Sequence, residues 1–419
     1  MTAKYKFVNF ITYCGSFRML DSLPGKTYNE IHSQEEKPMP AMPSTRFIFG
    51  TLPWYSVLIV LGICAALLLA SREEKRLHLP KDTVIDLALW VVPMGIAGAR
   101  LYYVAFAWDT FASNPVSVLY LWQGGLAIYG GILGGALGVF LFSRRRHIRL
   151  ATLTDMIVPG LALAQAIGRW GNYFNMEAYG LEITNPALQF FPFAVLIPGR
   201  NGEVWHMATF FYESVWNLAT FAALWLARKH MRRHGDATLW YFALYGGGRL
   251  MIEGLRLDSL MAGGGSVRIS QWLSVLMCLV VPVLFAWRAL KHANSRQLIG
   301  GVVTLMCMAA LTQALPRPAG AFYGDHAAWT LQMLLVLPTL VMLALRPGAH
   351  ASSRLQTLLP LAALILETVL RVRLAQTAAS GAEASLLLCA AFTLVAITSS
   401  ITLYLATPKS ETAARLSQL

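Results

Sequence analysis

The segment AIGRWGNYFNMEAYG (166–180) ends an apolar run and places an arginine, two asparagines and a glutamate within nine residues. In YGGGRLMIEGLR, Tyr245, Arg249, Glu253 and Arg256 recur at intervals of four, four and three residues, a spacing that puts them on one face of a helix. Guanidinium groups form paired hydrogen bonds with phosphate oxygens. The pattern therefore predicts a site for a phosphate group, with structural ion pairing of Arg249 and Glu253 as the alternative.

The helices that carry these residues are expected to lie in a membrane. Hydrophobic residues make up 56% of the 419-residue chain, charged residues only 13%, and the mean hydropathy is +0.53, which is outside the range of ordinary soluble proteins. A membrane span needs about 20 apolar residues. The first seven apolar runs lie at roughly 53–70, 83–107, 118–142, 152–170, 206–227, 237–255 and 268–288. Four more follow, near 298–315, 328–345, 356–370 and 384–406.

The sequence thus predicts an all-α polytopic membrane protein in three parts. These are a polar N-terminal tail at 1–45, a seven-helix core at 46–295 and an additional membrane extension of about four helices at 296–419. Because basic residues resist export across the membrane, an alternative for the tail is that translation begins at Met39 or Met42. The net charge of +13 is spread over short clusters between apolar runs, so no nucleic-acid partner is expected.

The charges of the connecting loops predict the orientation of the helices. The connections SREEKRLHLPK, SRRRHIR and RKHMRR are basic, whereas WDTFASNPVS has no lysine or arginine. Basic loops stay in the cytoplasm, which puts the polar residues of the helices near the outer surface. A charge in hydrocarbon costs at least ~2.5 kcal/mol, so several at one depth predict a shared polar cavity. The residues concerned are Tyr55, Arg100, Arg169, His206, Glu213, Tyr245, Arg249, Glu253 and Arg256.

The sequence offers no obvious nucleophile or metal ligand set of its own. It contains no G-x-S-x-G nucleophile elbow, and its five cysteines include no C-x-x-C pair. We therefore predict neither a metal nor a cofactor. The nucleophile would then belong to a second substrate.

Four separated segments resemble the motifs of bacterial prolipoprotein diacylglyceryl transferases, in that family's order over roughly residues 50–290. They are WQGGLAIYGGILGG, GLALAQAIGRWGNYFNMEAYG, FFYESVWN and ALYGGGRLMIEGLRLDSL. The resemblance implies transfer of the diacylglyceryl group of phosphatidylglycerol to the lipobox cysteine thiol of a prolipoprotein, forming a thioether and releasing glycerol phosphate. It also implies the bacterial inner membrane, a site that faces outward, and phosphatidylglycerol and lipobox signal peptides as partners.

The resemblance also implies roles for individual residues. Arg169 and Arg249 match the family's essential arginines and would hold the phosphate, with Arg249 at the leaving group. Glu177 and Glu253 would either hold the arginines or accept the thiol proton. Asn172, Glu177 and Gly180 match the rest of the family signature, and Asn172 and Asn175 would orient the head group. The secondary matches are Tyr55, Arg100, Tyr245 and Arg256, for which a structural role is the alternative.

The sequence departs from the family pattern at the expected base. Tyr129 stands where some members have a histidine, and a tyrosine with a pKa near ~10 is a poor base at neutral pH. His206, before FFYE, is a possible substitute, although a lone histidine at a helix start is often structural. The sequence leaves open whether another group takes the proton or the cavity activates the thiol.

The 296–419 extension is the second departure, and it leaves room for a paralogous transferase with a different acceptor. A hypothesis from another class is a transporter or flippase for an anionic lipid or solute, in which the arginines bind phosphate during passage. Transporters often contain repeated halves and sites at mid-depth. This sequence shows no convincing internal repeat, and its polar residues lie toward one surface, which favours the enzyme.

Overall fold

A computed structural model of the chain describes residues 47–48, 52–121, 124–199, 202–257 and 269–290, together with separate positions between 389 and 404. The predicted polar tail, the alternative starts Met39 and Met42, and the apolar segments predicted near 298–315, 328–345 and 356–370 lie outside the described residues. Within them the protein is mostly helical. Contacts divide the chain into two compact units, one formed by 64–160 and the other by 47–63 and the residues from 161 onward.

Seven long helices follow one another between residues 54 and 290 of the described chain. They are α1 (Trp54–Arg76), α2 (Thr83–Phe106), α3 (Ile128–Arg146), α4 (Leu150–Asn175), α5 (Thr209–Ala227), α6 (Asp236–Glu253) and α7 (Ile269–Leu290). Among the described helices, α1, α2 and α4 are long and apolar enough to cross a membrane. Large apolar side chains such as Leu68 and Leu101 are exposed on them, as expected of surfaces that face lipid.

In the first unit, helices α2 and α3 approach each other through small residues. A Cβ added to Gly98 would lie 2.9 Å from the Cα of Gly134, so only glycine permits this separation. Phe142, Leu153 and Met156 are fully buried in the core beside this contact. Glycines therefore allow α2 and α3 to pack closely in this unit.

Helix α3 begins ten residues later than the predicted run at 118–142. The preceding chain instead forms a short 3₁₀ helix, Pro115–Leu119, and Gly124 and Gly125 have positive φ angles of 82° and 75°. Such angles suit glycine and interrupt a helix. The apolar run is thus divided between a loop and a helix.

In the second unit, the segment between α4 and α5 forms a hairpin that the sequence analysis did not predict. Strand β3 (Ala194–Gly199) pairs antiparallel with β4 (Gly202–Met207), with Ala194 opposite Met207. A smaller pair, β1 (Phe47–Ile48) and β2 (Leu52–Pro53), precedes α1. The fifth helix consequently begins at Thr209, and the predicted start at 206 belongs to a strand.

Candidate active site

Three helices of the second unit bring arginines and carboxylates together. Glu213, in the first turns of α5, accepts Arg169 Nε of α4 on Oε2 at 2.6 Å and Arg249 Nη1 of α6 on Oε1 at 2.7 Å. Arg249 Nη2 also forms an ion pair with Glu253 Oε2 at 2.7 Å. Arg256 completes the group, with Nη1 3.7 Å from both Glu213 Oε1 and Glu253 Oε2. We call these five residues the arginine cluster.

The arginine cluster combines buried carboxylates with partly accessible cations. The side chains of Glu213 and Glu253 are 5% and 4% exposed, whereas those of Arg169, Arg249 and Arg256 are 20%, 18% and 12% exposed. Three arginines and two glutamates give the cluster a net charge of +1. Ion pairs with the carboxylates offset the cost of burying the arginines. The arrangement can therefore accept an additional anion at its exposed edge.

Backbone hydrogen bonds around Gly180 join the segment after α4 to strand β4 and to the residues after α6. Gly180 N–H donates to Met207 O at 2.9 Å, and Leu181 N–H donates to Leu255 O at 3.0 Å. A Cβ on Gly180 would lie 2.7 Å from Thr209 Cγ2 and 3.0 Å from Leu255 O, so a side chain does not fit. Gly180 also forms a bridge opposite Arg256. Its role in the structure is to position this part of the arginine cluster.

Comparison with known proteins identifies the family. The family model described as prolipoprotein diacylglyceryl transferase matches residues 45–287. This chain belongs to the prolipoprotein diacylglyceryl transferase family.

Curated relatives support the same assignment. The phosphatidylglycerol–prolipoprotein diacylglyceryl transferase of Enterococcus faecalis is 45% identical over 235 residues, covering 55% of this chain and 84% of the relative. The enzymes of the same name from Streptococcus mutans and Halalkalibacterium halodurans are 43% and 41% identical over 242 and 254 residues. The alignments cover 57% and 59% of this chain, and 92% and 86% of those relatives. The family prediction is confirmed, and with it the prediction of a membrane-bound transferase.

Glu213 was grouped with the polar residues of the helices from the sequence, but no role was predicted for it. It is buried on an apolar helix, inside the motif FFYESVWN, and it joins Arg169 to Arg249. A buried carboxylate is costly unless cations share it. That cost is the signal in the sequence from which a role could have been predicted.

The predicted residues at the end of α4 lie around a turn in the backbone. Asn172 and Asn175 occupy the last turn of α4, and Glu177 N–H donates to Asn172 O at 2.9 Å. Met176 and Ala178 both have φ of 55°, a left-handed conformation that costs energy for residues with side chains. The binding role expected of Asn172, Asn175 and Glu177 stays a prediction.

Two predicted tyrosines line the helices of the second unit. Tyr55 packs on α4, since a Cβ on Gly171 would lie 2.5 Å from Tyr55 Cδ2. Tyr245 stacks on Tyr241, with ring centroids 5.5 Å apart, and the Tyr241 hydroxyl donates to Gln165 Oε1 at 3.0 Å. These contacts give both tyrosines a packing role, and the predicted binding role stays a prediction.

His206 lies on β4, between the hairpin and the segment after α4. Its Nδ1 is 2.9 Å from Gly180 O, and its ring centroid is 4.9 Å from that of Tyr179. Glu182 pairs opposite it across the strand bridge. These contacts hold the imidazole in place at Nδ1, and the role of His206 as a substitute base stays a prediction.

Arg100 and Tyr129 belong to the first unit. Arg100 is 5% exposed and makes five hydrogen bonds, all to backbone carbonyls, at Ser117, Val118, Tyr120, Gly124 and Gly125. A guanidinium has five N–H groups, so these bonds account for its full capacity and favour a structural role. Tyr129 lies in the first turn of α3, with its ring centroid 6.5 Å from that of Tyr102. In the described parts of the chain, no group of three or more His, Cys, Asp or Glu side chains could hold a metal ion.

Proposed function

We propose that this chain transfers the diacylglyceryl group of phosphatidylglycerol to the lipobox cysteine thiol of prolipoproteins. The reaction forms a thioether and releases glycerol phosphate. The curated relatives carry the corresponding name, and the alignments span most of their length. The observation that carries the proposal is the arginine cluster, because its net positive charge and accessible guanidinium edges suit a phospholipid phosphate.

We further propose that the enzyme is a multi-pass protein of the bacterial inner membrane, with a seven-helix core and an appended extension at 296–419. In α5 and α6, the residues of the arginine cluster lie at the ends opposite the basic segment Arg228–His230. Since basic segments stay in the cytoplasm, the cluster would face the outer side. An exported signal peptide presents its cysteine at that surface.

The chemistry assigned to the site is a displacement at carbon. The cysteine sulfur attacks the glyceryl carbon that carries the phosphate ester, an S–C bond forms, and the C–O bond breaks. The bonding pair leaves on an oxygen of glycerol phosphate, whose growing negative charge Arg249 and Arg169 stabilise. Nearby cations also favour the thiolate form of the substrate cysteine. Glu213 holds the two arginines in the positions that this transition state requires.

The proton of the thiol needs an acceptor, and Glu177 and Glu253 are the predicted carboxylates. Glu253 already pairs with Arg249, which gives it a positioning task. We therefore assign the proton to Glu177, on the strained turn after α4. Tyr129 is a poor base by its chemistry, and His206, whose Nδ1 contacts Gly180 O, is the alternative base. Asn172 and Asn175 are proposed to orient the glycerol head group.

The test is mass spectrometry of a lipobox peptide incubated with purified protein and phosphatidylglycerol. We expect a cysteine-linked diacylglyceryl mass from the wild-type protein and none from Arg169→Ala or Arg249→Ala. Arg145→Ala is the control, because Arg145 is an exposed arginine in the last turn of α3. A wild-type protein that yields no adduct, where a relative does, would rule out the ordinary acceptor and leave the paralogous transferase. Unchanged phosphatidylglycerol moved across a vesicle would instead indicate a transporter.

A further inference from the structure

The three consecutive glycines of α6 contact three different neighbours. A Cβ on Gly246 would lie 3.0 Å from Met277 Cβ of α7, and one on Gly248 would overlap the indole of Trp216 on α5. A Cβ on Gly247 would overlap Cγ2 of Thr393, and its nearest atoms all belong to that residue. Helix α6 is therefore closely packed on three sides, and the third side is covered by the C-terminal part of the chain.

The C-terminal residues that cover α6 follow a helical pattern. The described positions between Cys389 and Tyr404 are helical, and Cys389, Thr393, Ala396 and Ser400 are buried. Their intervals of four, three and four residues place them on one face. Leu394, between them, is exposed. We call this set of positions from 389 to 404 the C-terminal segment.

The C-terminal segment contacts α6 at two levels. Thr393 Oγ1 donates to Gly247 O at 3.3 Å. Eleven residues later, the Tyr404 ring lies 5.6 Å from that of Trp240, and its hydroxyl accepts the Arg232 backbone N–H at 2.8 Å. Along a helix, eleven residues span about 16 Å, and the seven residues from Gly247 back to Trp240 span about 10 Å. Between Thr393 and Tyr404 the segment therefore runs antiparallel to α6.

The cytoplasmic level of this contact is also closely tied to α7. Asp236, at the start of α6, is fully buried and pairs with Arg288 Nη1 at 2.6 Å. The Phe285 ring of α7 lies 5.2 Å from that of Tyr404. The segment thus joins a packed group rather than touching one helix at a single point.

We propose that the C-terminal segment positions the arginine cluster, and that Thr393 is a positioning residue for Arg249 and Glu253. This inference rests on the proposed function. Glycine costs a helix about 1 kcal/mol per residue relative to alanine, so the three glycines leave α6 weak immediately before Arg249. Neighbours on each side must then fix the path of the helix. The C-terminal segment lies outside the 45–287 region shared with the family, so this member has added a support to the common site.

The test adds a methyl group on the Gly247 side of the contact and removes one on the Thr393 side, in the full-length protein. Gly247→Ala adds the methyl group that overlaps Thr393, so we expect kcat per folded molecule to fall about tenfold, while KM for phosphatidylglycerol changes less than about twofold. Thr393→Ala removes the bond and the methyl, and we expect a loss of about threefold in kcat. In the double variant the new methyl fills the space that Thr393 vacated. We expect its kcat to return to that of Thr393→Ala, a non-additive result.

The control is Gly246→Ala with and without Thr393→Ala. Its added methyl meets α7, so Thr393→Ala should not rescue it. A wild-type protein without transfer activity overturns the proposed function and this inference together. An active wild type in which Gly247→Ala keeps full kcat, or in which the double variant is no better than Gly247→Ala, overturns this inference alone. A loss confined to the yield of folded protein, with kcat unchanged, would show packing without positioning and would also overturn it.

Discussion

Two arginine sites in the helices of this protein use the same side chain in different ways. Arg100, in the first unit, donates its hydrogen bonds to backbone carbonyls and is almost fully buried. Arg169 and Arg249, in the second unit, share the carboxylate of Glu213 and keep part of each guanidinium accessible. Neutral carbonyls organise a loop, whereas shared carboxylates hold a cation in place for another anion. The hydrogen-bond and ion-pair partners of an arginine, rather than its presence in an apolar helix, therefore indicate which of these two tasks it suits.

The largest effect is expected at Arg249. In Arg249→Lys the charge remains, but one ammonium cannot reproduce the separate Nη1 and Nη2 contacts with Glu213 and Glu253. We expect the rate of peptide diacylglyceryl transfer per folded molecule to fall on the order of 100-fold or more. Arg145→Lys, on an exposed turn, is the control and should keep its rate. A variant Arg249→Lys that keeps most of its activity would show that charge alone suffices.

A smaller loss is expected from Glu213→Gln, which tests how the two arginines are held. The change leaves three arginines and one glutamate, so the net charge of the cluster rises from +1 to +2. The attraction of the cluster for an anionic lipid should not weaken, but Arg169 and Arg249 are no longer held in fixed orientations by one carboxylate. We expect kcat to fall roughly 10- to 100-fold without a rise in KM for phosphatidylglycerol. Glu203→Gln, on the exposed part of β4, is the matched control, and a KM effect alone would contradict this role for Glu213.

Arg100→Lys should lower the free energy of unfolding and leave kcat nearly unchanged, whereas Arg249→Lys should lower the transfer rate. Lysine has three N–H donors and cannot satisfy five carbonyls. We expect unfolding free energy to fall by about 2 kcal/mol, with kcat per folded molecule within about threefold of wild type. Thermal unfolding and the peptide assay measure the two quantities on one preparation. If kcat drops sharply while the unfolding temperature is unchanged, Arg100 contacts substrate and the contrast between the two sites is lost.

The sequence predicts well what depends on local spacing. The i, i+4 pair Arg249 and Glu253 is present as an ion pair at 2.7 Å. It could not reveal that Glu213 joins residues 44 positions upstream and 36 positions downstream, since such pairing depends on how helices meet. The β3–β4 hairpin was missed because only runs of about 20 apolar residues were sought, and residues 194–205 fall between two such runs.

The smallest effect is expected at His206, and it tests the alternative base. His206 Nδ1 lies against Gly180 O, and glutamine can still donate a hydrogen bond there. His206→Gln should therefore keep kcat within about threefold, with the same dependence of rate on pH as the wild type. A histidine acting as base would make the rate fall as pH drops below its ordinary pKa of about 6.5, and removing it would abolish that inflection together with most of the activity. If the His206→Gln profile changes in this way, the base lies on β4, and the assignment of the thiol proton to Glu177 is wrong.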